Sequence, residues 1–253
     1  MTRIPRKKSS TGVYHVMLRG INKQVIFEEI VDRIRFLKTL KNFKGVSNFK
    51  VYGYCLMDNH VHLLIQESEE GISNIIKRIS SSYVYWYNTK YERCGHLFQE
   101  RFKSENVETT RYFLTVLRYI HQNPVKAGLG KDVFESKWTS IHEYVGKADI
   151  IDVDMGLKLF SSERESAIKL FRDYMSKSND DKCLDNDFDV RVSDNQVIEH
   201  LHKMGFASNS LLQQMEKKER DAALADLKKL KGVSVRQISR VTGISKSVID
   251  RAR

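Results

Sequence analysis

The spacing of the apolar residues changes period repeatedly along the first half of the chain, and that alternation restricts the fold more than any other feature. Val13 to Leu18 reads as a short strand that ends at Arg19-Gly20. From Glu28 to Phe43, Ile30, Ile34, Leu37 and Leu40 recur at helical spacing. Phe49 to Met57 and Val61 to Ile65 read as two strands joined at Asp58-Asn59, a natural turn. Ile72 to Tyr91 is helical again, with Ile75, Ile76, Ile79, Tyr83 and Trp86 on one side. Leu97 to Val107 holds a short strand or hairpin, and Thr109 to Gln122 a third helix that Asn123-Pro124 stops. The order β-α-β-β-α-β is that of a split βαβ layer. The expected fold class is α+β, a ferredoxin-like antiparallel sheet with packed helices, followed by a small all-α C-terminal domain.

Charge supplies the domain plan. Residues 1–150 carry 24 Lys+Arg against 15 Asp+Glu, residues 151–195 carry 7 against 11, and residues 196–253 carry 12 against 6. Two basic modules therefore flank an acidic connection. The expected division is 1–148, then an acidic helix and linker over 149–195, then 196–253. The linker includes Ser176-Lys-Ser-Asn-Asp-Asp-Lys and Asp185-Asn-Asp-Phe-Asp. A net charge of +11 points to a polyanionic partner, nucleic acid first, although a solubilising Lys-rich surface has the same composition. Cys55, Cys94 and Cys183 are widely spaced and form no C-x-x-C pair, which fits reduced thiols in a cytoplasmic protein. No apolar run reaches the ~18 residues of a membrane span. Met1 to Ser10 is basic without the apolar stretch of a secretion signal, and reads as a tail or as an arm that touches phosphate.

The C-terminal module has helix-turn-helix spacing: Ser234 to Val241, a turn at Gly243, then Ser245 to Arg253. Ser234 and Ser245 are the expected N-caps. Ile238, Val241, Ile244, Val248 and Ile249 form an apolar seam, and an upstream helix from Ser210 to Lys231 would complete the bundle. If the second helix reads DNA, Lys246, Ser247, Asp250 and Arg251 face a groove. The competing reading is an interaction bundle that packs on the first domain.

Two short motifs carry chemistry. In a strand through His60-Val61-His62, both imidazoles face one side and make a pair able to hold several divalent ions. Two surface histidines on an edge strand would look the same. On the third helix, Tyr119 and Asn123 are four residues apart and share a face. The Asn123 amide oxygen could complete the coordination of a hard ion such as Mg²⁺ or Mn²⁺, and Tyr119 beside that ion could attack a phosphodiester. A packed amphipathic tyrosine is the bland alternative. His121 lies on another face of the helix and reads as structural.

The frame around these motifs resembles the REP-associated tyrosine transposases, members of the HUH single-tyrosine group. The resemblance rests on Tyr54-Cys-Leu-Met-Asp-Asn-His-Val-His and on Tyr119-Ile-His-Gln-Asn-Pro-Val-Lys-Ala-Gly-Leu. It is supported by Tyr14-His-Val-Met-Leu-Arg-Gly-Ile-Asn, Ile26-Phe27, Gly95-His-Leu-Phe-Gln-Glu-Arg-Phe-Lys and the stretch from Trp138 to Tyr144. It covers roughly residues 8–146, and residues 150–253 fall outside the minimal transposase domain. The resemblance implies a central antiparallel sheet with helices on one main face. It also implies His60, His62 and Asn123 as ligands of Mg²⁺ or Mn²⁺ and Tyr119 as nucleophile. The implied chemistry is cleavage of single-stranded DNA beside hairpins, through a 5′-phosphotyrosine link, in the bacterial cytoplasm on the nucleoid. Arg19, Asn22, Arg101 and Lys103 sit in the matching stretches as candidate DNA contacts. Monomer and homodimer both stay open. A non-catalytic DNA-binding regulator that uses the helix-turn-helix is the alternative, and a metal-dependent hydrolase that gives Tyr119 no role is a third reading.

Overall fold

The computed structural model describes residues 7–99, 101–181, 183–184, 192, 194–206, 211–230 and 232–252. Residues 1–6 of the basic arm and the acidic run over 185–189 lie outside the described residues. The elements follow the expected order: β1 (Val13–Arg19), α1 (Ile30–Ser47), β2 (Lys50–Met57), β3 (His60–Gln66), α2 (Ile72–Lys90), β4 (Lys103–Asn106) and α3 (Thr110–Lys126). The strands form one sheet in the order β2-β3-β1-β4, with every neighbouring pair antiparallel. This is the ferredoxin-like arrangement within an α+β fold.

The helices cover both faces of the sheet, which corrects the expectation of one main face. Leu18 of β1 and Ile76 of α2 line a common cleft, so α2 lies over the face that carries Leu18 and its cross-strand partner Val61. Gly53 of β2 points to the opposite side. A Cβ there would meet Leu117 of α3 at 3.0 Å, and Ile120 lies just beyond. The missing side chain lets α3 approach the sheet closely. The sequence pattern names the helices but not their sides, because a strand buried on both faces reads as a near-continuous apolar run.

The first turns of α1 depart from the expected face, while Leu37 and Leu40 pack inward as expected. Ile30 is 65% exposed and Ile34 39%, while Phe36, Leu40, Thr39 and Asp32 face inward. The buried carboxylate turns the helix. Asp32 accepts from the Glu29 backbone N–H at 2.8 Å, from Lys90 Nζ at 2.7 Å and from the Tyr91 hydroxyl at 2.8 Å. A charge with that many partners can be buried, and α1 packs to make those contacts. Pro124 likewise does not stop α3 where expected. The helix runs on to Lys126, because a proline in the last turn forfeits only one ladder bond. Ala127 N–H donates to Asn123 O and Leu129 N–H to Pro124 O, closing the end.

Further helices follow: α4 (Ile141–Val145), α5 (Val153–Lys158), α6 (Arg164–Ser176), α7 (Asp194–Lys203), α8 (Leu211–Gln214), α9 (Lys217–Lys229), α10 (Val235–Thr242) and α11 (Lys246–Arg251). Helices α5 and α6, which fall within the stretch expected to be an acidic helix and linker, bury Val153, Leu157, Ala167, Phe171 and Met175 in the same core as the sheet. A second core joins Val197, Leu201, Leu212, Leu224, Leu227, Ile238, Ile244 and Ile249. The helix expected over 210–231 is split into α8 and α9, with residues 210 and 231 outside the described set. The Ser234 hydroxyl caps α10 by accepting from Gln237 N–H, and Gly243 ends it at φ +71°. Ser245 stands at the N-cap of α11 without a capping bond; its hydroxyl lies 3.2 Å from that of Ser247.

Candidate active site

The face of the sheet under α3 is lined with polar side chains that are almost fully buried. His60, His62, His15, Tyr119 and Asn123 are each at most 2% exposed. Strand alternation brings the three histidines to one side. β1 pairs antiparallel with β3, setting Met17 opposite His62 and Arg19 opposite His60, with His15 one pleat further along.

The turn before the histidines is held from outside. Gly20 N–H donates to Asn59 O and Ile26 N–H to Asp58 O, both at 2.8 Å. Asn59 Nδ2 donates to Lys23 O at 3.1 Å. A side chain on Gly20 would strike Gln24 O at 2.2 Å, so only glycine fits where this loop folds back. The bond to Lys23 O fixes the orientation of the Asn59 amide and turns its oxygen toward His60. That oxygen lies 2.6 Å from His60 Nδ1 and accepts from it, so the lone pair of His60 sits on Nε2.

His62 is fixed from the other side. Its Nδ1 lies 2.9 Å from His15 Nε2, and its Nε2 is buried with no hydrogen-bond partner among the described residues. Burial, then the neighbouring charges of His60, His15 and Arg19, hold its pKa well below the ordinary histidine value, so the ring is neutral. His15 Nδ1 lies 3.7 Å from Glu105 Oε2, and the Tyr112 hydroxyl donates to the same carboxylate oxygen at 2.8 Å. The contact with His15, followed by the bond from Tyr112, keeps the Glu105 carboxyl below the usual range.

α3 brings the other two candidates. The Tyr119 ring lies edge-on to His62 at 5.6 Å between centroids and to His15 at 5.8 Å, and Lys126 Nζ sits over it at 5.6 Å. The structure thus joins the tyrosine to the histidines within one chain. Asn123 is on the same helical face, and neither its oxygen nor its nitrogen has a hydrogen-bond partner among the described residues. No cluster of three or more His, Cys, Asp or Glu with metal-holding geometry exists among the described residues. Among the described residues, a third ligand beside the two imidazoles would be of another type, such as an amide. His121 is elsewhere: its Nε2 meets the Ser140 hydroxyl at 2.8 Å and its ring packs on Tyr144 and Phe171.

The candidate DNA contacts fall into three groups. Arg19, Arg101 and Lys103 line one cleft with Met17 and Gln99, next to His60 through the Arg19 register. Asn22, held in the left-handed region at φ +54°, lines a different cleft with Lys23, Gln99 and Ser234–Arg236. Lys246, Ser247 and Arg251 are exposed on α11, apart from both clefts. Sequence reasoning passed over His15 and Glu105. The available signal was a histidine inside the otherwise apolar run Val-Tyr-His-Val-Met-Leu, which is a buried polar group that requires partners.

Comparison with known proteins places this geometry. Residues 8–123 match the family model described as transposase, IS200 like. This region, a little under half of the chain, is similar to an IS200-like transposase domain. Among solved structures, the fold is similar to a REP-associated tyrosine transposase bound to a REP hairpin. That match has a TM-score of 0.50 at 18% identity and covers 61% of this chain and 96% of the other. A protein of Deinococcus radiodurans R1 described as a candidate transposase matches with a TM-score of 0.33 at 16% identity, covering 48% of this chain and 97% of that one. No curated protein matches the sequence. No described helix is long and apolar enough to cross a membrane.

Proposed function

We propose that this transposase is a metal-dependent endonuclease and strand transferase, acting on single-stranded DNA beside hairpins through a 5′-phosphotyrosine intermediate. The observation that carries the reading is the edge-on packing of Tyr119 against His62 in one chain. The neighbour's REP hairpin supports the substrate class.

The donors fit a divalent ion. The Asn59 bond leaves the lone pair of His60 on Nε2, and His62 Nε2 and the Asn123 amide oxygen are buried without a partner among the described residues. A buried polar atom with no partner is costly unless a ligand uses it. His60, His62 and Asn123 would hold Mg²⁺ or Mn²⁺, which when bound supplies charge neutralisation at the scissile phosphate. Tyr119 Oη then attacks phosphorus, the P–O3′ bond breaks, and a free 3′-hydroxyl leaves. Tyrosine needs help to lose its proton near neutral pH, since its reference pKa is about 10. Attack by the 3′-hydroxyl of an incoming strand releases Tyr119 and restores a phosphodiester. One ester is exchanged for another at each step, so no ATP is consumed. Arg19, Arg101 and Lys103 hold the backbone beside the site. Asn22 and the α11 residues Lys246, Ser247 and Arg251 extend the contact, with residues 196–253 as a second DNA-binding unit on the nucleoid.

A denaturing protein gel tests the chemistry. Incubated with Mn²⁺ and a labelled hairpin-flanked single strand, the protein should form a covalent adduct that Tyr119→Phe abolishes. Cleavage that persists in Tyr119→Phe would instead indicate hydrolysis by water. One observation favours the regulator reading: Tyr119 is only 1% exposed. Tight binding without any adduct, across varied hairpins and both metals, would decide for it.

A further inference from the structure

We propose that His15, held by Glu105, is a positioning residue that fixes His62 in the tautomer whose Nε2 lone pair faces the candidate metal site. The proposal rests on the metal-dependent reading above and adds residues that the two-histidine motif does not contain. Four side chains form the line. The Tyr112 hydroxyl donates to Glu105, the Glu105 carboxylate stands 3.7 Å from His15 Nδ1, and His15 Nε2 stands 2.9 Å from His62 Nδ1.

The proton positions follow from charge and burial. A carboxylate beside His15 Nδ1 holds a proton on that nitrogen, because the alternative faces a lone pair against a negative charge. His15 Nε2 is then an acceptor, and His62 Nδ1–H donates to it. His62 Nε2 is left with its lone pair at a buried position with no partner among the described residues. The opposite arrangement puts an N–H there instead and leaves a buried donor unsatisfied. His15 cannot itself be a third ligand through Nε2, because His62 Nδ1 occupies that atom. Its ring also lies edge-on to Tyr119 at 5.8 Å, so the same side chain bounds both a ligand and the nucleophile. Partners of this kind set the orientation and basicity of a ligating imidazole.

Two readouts on the full chain test the proposal. Two-bond ¹H–¹⁵N spectra of ¹⁵N-histidine protein, free of metal, report which ring nitrogen of His62 carries the proton. Calorimetric titration with Mn²⁺ reports affinity without any turnover. Wild type should show His62 as the Nδ1–H tautomer. His15→Phe keeps a ring but removes the acceptor, and should give mixed tautomers with a Mn²⁺ Kd raised about 10–100-fold. His15→Gln can present an amide oxygen to His62 and should recover most of the affinity, which loss of packing alone would not predict. Glu105→Gln lies on the half-exposed edge strand and keeps the test decisive if His15→Phe does not fold. It should loosen the tautomer and weaken Mn²⁺ binding by a smaller factor. An Nε2–H tautomer of His62 in wild type, or a spectrum and Kd unchanged in Glu105→Gln, overturns the proposal. A wild-type protein that binds no Mn²⁺ overturns the metal reading instead, while the metal-free spectrum still decides the tautomer.

Discussion

The two faces of the sheet are built from the same strands and are equally buried, yet they hold opposite chemistry. Under α2, β1 and β3 present Val16, Leu18, Val61, Leu63 and Ile65, all at most 3% exposed. Under α3, the alternate positions of the same strands present His15, His60 and His62. An apolar face stabilises in proportion to the area it removes from water. A buried polar face contributes only where its groups are paired, and here His62 Nε2 and both amide atoms of Asn123 have no partner among the described residues. One face keeps the domain folded, and the other, on the function proposed above, is kept for what it binds.

The sharpest way to break that comparison is to damage the apolar face. Leu63 is 0% exposed, and Leu63→Ala leaves a cavity with little room to collapse. We expect a loss of about 2–5 kcal/mol in chemical unfolding. Below the unfolding transition the Tyr119 adduct should still form. A Leu63→Ala protein that stays as stable as wild type would show that this face does not carry the fold.

Acid should single out the α3 side. Burial holds the His121 pKa down to about 3, and burial likewise lowers His62 well below the ordinary value. Both rings are neutral in the fold, whereas in the unfolded chain they take up a proton near pH 6.5. Their contribution is therefore complete above pH 6.5; that of His121 is lost as pH falls from there toward 3, at about 1.4 kcal/mol per pH unit, and that of His62 is lost in the same direction. Urea midpoints measured between pH 7.5 and 4.5 should fall steadily, and His121→Gln should flatten the slope. Leu63→Ala should lower the whole curve without changing its slope. A wild-type curve that is level over this range would refute the assignment of buried neutral imidazoles.

Much of this contrast was legible beforehand, for a physical reason. His60 and His62 are two residues apart in a strand, and Tyr119 and Asn123 four apart in a helix, so local periodicity alone sorts each pair onto one side. The β-α-β-β-α-β order was readable from the same periods. Joining the two pairs was not a local matter, since it depends on α3 seating over Gly53. His15 and Glu105 stayed hidden because their partners lie on other strands. The outward turn of Ile30 and Ile34 went unread because Asp32 is buried by Lys90 and Tyr91, contacts that reach across a long stretch of chain. Ile30 and Ile34 marked an apolar face that tertiary packing overrode.

The smallest expected effect is also the most diagnostic of the polar face. Asn123→Leu keeps roughly the shape of the side chain and removes a donor and an acceptor that have no partner among the described residues. Replacing an unsatisfied buried polar group with an apolar one of similar shape should stabilise the metal-free protein by about 1–3 kcal/mol. The same change should weaken Mn²⁺ binding and suppress the Tyr119 adduct. A gain in stability with a loss of adduct is the signature of a residue kept for binding at the expense of the fold. If Asn123→Leu destabilises the metal-free protein and leaves the adduct intact, Asn123 is a packing residue. The metal would then rest on the two histidines and a donor supplied from elsewhere.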